Sequence, residues 1–185
     1  MDYEKDLINE LLHPDVYMFE NYMRGINELE GVANQTLKNS DSIEARITSL
    51  FIYYQITEEV LAFVLRYCDL ITRGSLYPIR FTKKMETRVG FTESLKEIEK
   101  SIEFESKAEL LAAAQHLGEL RNELGHKIVS DYSTPQFDCE DEIQKVQELF
   151  AIISECQLKA QIWFVDEIKR IRTRKSIHIL IKKYS

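Results

Sequence analysis

The residue types that invite chemistry gather in one short stretch, "LRNELGH", residues 120–126. Arg121 offers a fixed fork of donors suited to anionic oxygens. His126 carries an imidazole, the side chain whose ordinary titration spans neutral pH, and so can move a proton. Asn122, directly after the arginine, can orient either group. Other chemistries lack their residues. There is no G-x-x-x-x-G-K-[ST] or G-x-G-x-x-G loop, no H-E-x-x-H, no cysteine–histidine set with zinc spacing and no G-x-S-x-G elbow. No metal or cofactor is expected. Arg172 and His178 fit a looser form of the same spacing in the basic tail. The Arg121 occurrence differs in context, since it closes an amphipathic helix and has Asn122 beside Arg121.

A helical projection at about 100° per residue sharpens the geometry. With Arg121 at zero, Leu110, Ala114 and Ile128 fall at about −20°, Leu117 at about −40° and Leu124 at about −60°. Arg121 therefore lies inside the apolar stripe. A guanidinium there needs a carboxylate, backbone carbonyls, a second subunit or a bound anion. Asn122 and His126 stack on a flank at about 100° and 140°, so Arg121 and His126 diverge by about 140° on a regular helix. Gly118 and Gly125 lie beside the stripe and predict a close approach of another backbone or a local bend. A bend at Gly125, or a second copy across a two-fold axis, would bring arginine and histidine to one atom.

At these residues the sequence resembles the HEPN superfamily, small all-α bundles carrying R-x4-6-H, often with a polar residue after the arginine. Arg121, Asn122 and His126 match that pattern. The resemblance implies a metal-independent RNase with its site at a symmetric dimer interface, in a superfamily that also holds members without activity. His126 would then exchange protons with a ribose 2′-hydroxyl or a leaving 5′-oxygen. Arg121 would stabilise the phosphate, Asn122 would orient, and a 2′,3′-cyclic phosphate would result. Lys127, Lys169, Arg170, Arg172 and Arg174 are the residues expected to hold substrate backbone. In the toxin branch that pairs with nucleotidyltransferase antitoxins the motif continues to a tyrosine. Ile128 stands there and disfavours that branch. The helix order and the L-R-x-x-L-x-H ending also resemble the mannitol operon repressor family, which implies a regulator without catalysis. In that reading Arg121 pairs with a neighbour's carboxylate, such as Glu119 or Glu123, and His126 sits near a helix end. A toxin–antitoxin component is a further form of this non-catalytic class. His13, His116 and His178 have no evident partners and read as structural or surface residues.

The elements that must position these residues read as helices. Glycine (6) and proline (3) are sparse in the 185 residues, and 44% are apolar. That composition favours long helices over a turn-rich sheet. The spacing predicts a short helix over 2–12 and a second from Pro14 to about 40. A third is capped by Asp41 with Glu44 and ends at Gly74. A short one begins near Thr92, and another opens on a Ser106/Glu109 capping box. A last long helix runs over about 139–174 behind Asp138, and "IHILI" (177–181) fits either a helix or a strand. The expected architecture is an all-α, up-and-down bundle of about five helices, one domain over 1–185, with an irregular segment at 75–91.

Charge is uneven. Residues 167–185 hold seven Lys/Arg and one acid, against a net charge of −7 for the whole chain. The acidic body is a poor general attractor for nucleic acid, and the basic tail is a local one or a helix-end cap. The three cysteines, Cys68, Cys139 and Cys156, have no C-x-x-C spacing and suit a reducing cytoplasm. No uninterrupted apolar run reaches the roughly 18 to 20 residues of a membrane span, so no membrane is expected. The expected partners are a second copy through helix 106–128 and either single-stranded RNA or a protein.

Overall fold

The computed structural model describes residues 2–13, 16–40, 42–80, 90–131 and 140–184. Among them run seven helices: α1 (Tyr3–Leu12), α2 (Val16–Asn39), α3 (Ile43–Leu76), α4 (Phe91–Glu99), α5 (Lys107–Asp131), α6 (Glu140–Thr173) and α7 (Lys175–Tyr184). The all-α bundle is as expected, but seven helices replace the expected five or so. The tail accounts for part of the difference. The chain breaks at Arg174 and turns α7 back onto α1, burying Ile177 and Leu180. The "IHILI" run is thus a separate amphipathic helix, since its apolar residues recur at helical spacing as well as in alternation.

The core is built around α3, which packs on α1, α2, α4, α5 and α6. A helix covered on so many sides must be apolar nearly all round, and Leu50, Ile56, Leu61, Val64, Leu65 and Cys68 are buried. By length and composition alone α3 is apolar enough to cross a membrane, and half of that stretch is buried inside the fold. Phe51, apolar and on the same helix, is 47% exposed. Aromatic rings fill the seam between α3 and α6, with Tyr53 against Phe150 and Tyr67 against Phe164. Cys68 and Cys156 are buried, and burial pushes both thiols up to about 11, which leaves them poor nucleophiles.

Several helix ends differ from expectation. The Ser42 hydroxyl caps α3 by accepting from the Ala45 N–H at 3.2 Å, with Ser42 backbone extended. Asp41 and Asp138, the expected caps, lie outside the described residues, as does Pro14. Gly74 does not end α3. It lies two residues inside, where a Cβ would stand 2.9 Å from Ile171 Cγ2. Its missing side chain serves the α3–α6 contact. Of the segment 75–91, Ser75 and Leu76 finish α3 and Phe91 already begins α4, while 81–89 lies outside the described residues. Ser106 has φ 64°, the left-handed region, and not the extended backbone of a capping box. Beside it the buried Lys107 ammonium donates to the Glu99 carbonyl (2.9 Å) and the Ser101 carbonyl (3.0 Å), and pairs with Glu103. The first residue of α5 thus satisfies the end of α4 and holds the two helices as a hairpin.

The two ends of the chain are clasped. Tyr184 donates to Asp2 at 2.8 Å, and Lys183 reaches Glu4 at 3.0 Å. The Arg172 guanidinium donates to the Leu11 carbonyl at the end of α1. Deeper in, Arg73 is 3% exposed and bonds Asp69 at 2.7 Å, with Glu10 of α1 on its other side. A buried guanidinium with two carboxylates ties α1 to α3, and removing it would strand the buried Asp69.

Two outcomes follow. Gly125 sits in mid-helix, and a Cβ there meets nothing within 4 Å. Gly125→Ala therefore raises stability in urea unfolding by up to about 1 kcal/mol; a loss would show that another surface covers the position. The second concerns acid. The Tyr184 hydroxyl holds the Asp2 carboxyl below the usual range, and Lys183, then Tyr77, do the same for Glu4. Carboxylates with depressed folded values stabilise above the ordinary carboxylate range, and that contribution is lost as pH falls through the depressed values. Hydrogen exchange below about pH 4 should show α1 and α7 losing protection while α3 keeps it.

Candidate functional site

Arg121 is half-buried, and the structure supplies its partners from within the chain. Its guanidinium carbon lies 5.0 Å from the centre of the Tyr54 ring, and Nη1 donates to Asn122 Oδ1 at 3.0 Å. Tyr54 in turn stacks on Phe91 at 4.7 Å and 19°. Phe91 is buried because position 118 is glycine: a Cβ there would lie 2.8 Å from the Phe91 ring. What approaches Gly118 is an aromatic ring from α4 and not another backbone. Among the described residues no carboxylate forms an ion pair with Arg121. Glu58 is near enough to feel it: burial pushes the Glu58 carboxyl up and Arg121 draws it back down.

These groups stand at one end of a cleft of about 1120 Å³ between α4 and α5. Its lining includes Tyr54, Phe91, Thr92, Leu95, Leu111 and Gln115 along with Arg121 and Asn122. Toward the start of α5 the lining includes Glu103 and Lys107. The arrangement presents a half-buried guanidinium, restrained on one face by a ring and on one edge by an amide, to an open space. Such a guanidinium can hold an anionic oxygen, and Glu93, Glu99 and Glu119 also line the cleft.

The structure brings Arg121 and Asn122 together and leaves His126 apart. His126 is exposed and does not line the cleft. The helix runs unbroken from Lys107 to Asp131 through Gly125, so no break in it redirects the histidine. Lys127 turns the other way and bonds Glu142 of α6 at 2.9 Å. In the tail, Lys169 pairs with Asp166 at 3.0 Å and Arg170 pairs with Glu167. Arg172 is on the Leu11 carbonyl and Arg174 donates to the Ser75 carbonyl. Ser75 and Tyr54 are 21 residues apart on α3, so Arg174 and Arg121 are separated by about 30 Å along that helix. Among the described residues no group of three or more His, Cys, Asp or Glu is placed to hold a metal.

Sequence reasoning missed Tyr54 as a site residue, since it falls in the apolar stripe of α3, and missed Phe91, which was left outside α4. The usable signal was Gly118, a helix glycine that needed a bulky partner. Compared with known proteins, the chain matches no family model, no curated protein and no solved structure.

Gly118→Ala is expected to displace Phe91 and, through Tyr54, the support of Arg121. Overpacking of this kind costs about 1 to 3 kcal/mol, enough to outweigh the gain in helix propensity. Urea unfolding with near-ultraviolet circular dichroism reads both the loss and the altered ring environment. A stabilised variant with an unchanged aromatic spectrum would refute the link.

Proposed function

We propose that the chain is a HEPN-like dimeric protein that binds RNA phosphate at Arg121 and cuts it without a metal, in a regulatory or defence role. The observation that carries this reading is the half-buried Arg121 guanidinium, braced by Tyr54 and Asn122 at the edge of the cleft and, among the described residues, in no ion pair with a carboxylate. Arginine in such a setting stabilises the charge of a phosphodiester undergoing attack. Proton transfer falls to His126. Because α5 continues unbroken past Gly125, the histidine acting beside one Arg121 comes from a second copy, docked through α5 about a two-fold axis. Asn122 then orients the phosphate or the incoming imidazole. Lys127 and the tail cations Lys169, Arg170, Arg172 and Arg174 serve at most as distant backbone contacts, since each already has a partner in its own chain.

A second reading has one observation in its favour. Within a single chain His126 is exposed and does not line the cleft, as it would be in a non-catalytic regulator resembling the mannitol operon repressor. There Arg121 binds an anion or a partner's carboxylate and nothing is cleaved.

Complementation separates the two. Wild type, Arg121→Ala and His126→Ala are incubated with single-stranded RNA in EDTA, singly and after the two variants are unfolded and refolded together, and solution mass is measured. The composite site predicts loss in each single variant and recovery in the mixture. Each mixed dimer retains one intact Arg121–His126 pair, so activity returns to roughly a quarter of wild type. Equal background from every sample, or a strictly monomeric protein, would sink the enzyme reading.

A further inference from the structure

The last helix has two faces, and the bundle uses one of them. Ile177 and Leu180 are buried. Lys175, Ile179 and Lys182, at i, i+4 and i+7, share the opposite side within about 60° of arc, with His178 on their flank. All four are exposed, and α7 contains no acid. Among the described residues Lys175 and Lys182 enter no ion pair or hydrogen bond. Ile179 is 59% exposed. The segment leaving α3 borders this face. Tyr77 and Arg80 both reach Glu4, and so does Lys183, one turn past Ile179. Between Tyr77 and Arg80 in the chain, Ile79 is 63% exposed. Ile79 and Ile179 are thus the two most exposed large apolar side chains among the described residues, and both stand among cations. The neighbouring carboxylates are on α1. Asp2 and Glu4 are held by Tyr184 and Lys183, Glu10 faces Arg73 of α3, and Asp6 lies about 160° round the helix from Glu4. Lys5, also exposed, is the one cation of α1.

We propose that this end of the bundle, the outer face of α7 with residues 76–80, rests on an anionic lipid surface as a peripheral contact. It lies toward the other end of α3 from Arg121 and does not depend on the chemistry there. One aliphatic side chain in water is ordinary. Two at one end of a fold, beside lysines that have no carboxylate, match the composition of an interfacial helix. Anionic headgroups take the cations, and the acyl boundary beneath them takes Ile79 and Ile179. A nucleic-acid strand would use the lysines and gain nothing from the isoleucines, which neither stack on bases as aromatic rings do nor bond their edges. The helix lies on the lipid and does not cross it. Its 10 residues extend about 15 Å, half of a hydrocarbon core, and Ile177 and Leu180 stay packed on the bundle. The net charge of −7 does not oppose the contact at 0.1 M salt, where charges more than about 10 Å from the lipid are largely screened. Each lysine at such a surface contributes about fivefold to binding, so the contact is weak and reversible.

Vesicle flotation in about 0.1 M salt with EDTA tests the contact, using phosphatidylcholine alone and phosphatidylcholine with about 30% phosphatidylserine. The full chain should bind the anionic vesicles at least about tenfold better than the neutral ones. K175E/K182E should lower that binding by more than about twentyfold. K38E/K145E, exposed lysines on α2 and α6, makes the same change in net charge elsewhere and should alter it by less than about twofold. Ile179→Ser keeps the charge and should cost about fivefold on vesicles, while leaving any binding of a single-stranded RNA decamer unchanged. Circular dichroism confirms that each variant is folded. Equal binding to neutral and anionic vesicles, or none to either, overturns the proposal. So does an equal loss from the two double reversals, which would make net charge the cause. RNA binding that K175E/K182E abolishes, with no vesicle binding by the full chain, would assign the face to nucleic acid and overturn it as well.

Discussion

One steric constraint organises the candidate site: the ring of Phe91 occupies space that any side chain at position 118 would need. From it the rest follows in order. Phe91 seated on α5 brings the start of α4 against that helix. Phe91 then offers its face to Tyr54 of α3, and Tyr54 offers its own ring to Arg121. Three helices are registered by one stack of two rings and a guanidinium. A flexible arginine is thereby restrained without a carboxylate, so its charge stays available. A salt bridge would have held it as firmly and neutralised it. The helix glycine that looks like a loss of propensity is a condition for a charge that is held in place and still free to bind.

The other end of the bundle uses charge in the opposite way. Every tail cation considered for substrate has an acceptor inside the chain, and two of them are spent on carbonyls at the ends of α1 and α3. Arg73 is buried between Asp69 and Glu10. The sequence shows a basic tail on an acidic body, and the structure shows much of that imbalance cancelled locally, by the tail folding back. What is left of positive potential near the cleft is one side chain.

How much of this was legible in the residues depends on the range of the forces involved. Apolar periodicity is local, so α1 and the long α6 read to within a residue or so of their observed ends; Arg121, projected inside the apolar stripe, is half-buried. Its partners did not read, because Tyr54 and Phe91 are 67 and 30 residues away and look like ordinary core residues. Gly74 and Ser106 misled for a similar reason. Each has a residue type that usually marks a helix end, but Gly74 is explained by Ile171 of α6, and Ser106 lies in the tight turn held by Lys107. The α7 helix was ambiguous because "IHILI" satisfies a period of two as well as 3.6. Only the surface it covers on α1 decides between them.

The bond between Tyr184 and Asp2 joins residues 182 apart. Closing so large a loop is entropically expensive at the outset of folding and cheap once the intervening helices have brought the two ends near. The local hairpin of α4 and α5, held by Lys107, has the opposite character and can form early. The molecule thus has a built-in order of assembly. The helix bearing Arg121 belongs to its first part, and the α1–α7 seam is the last to close and the first to open.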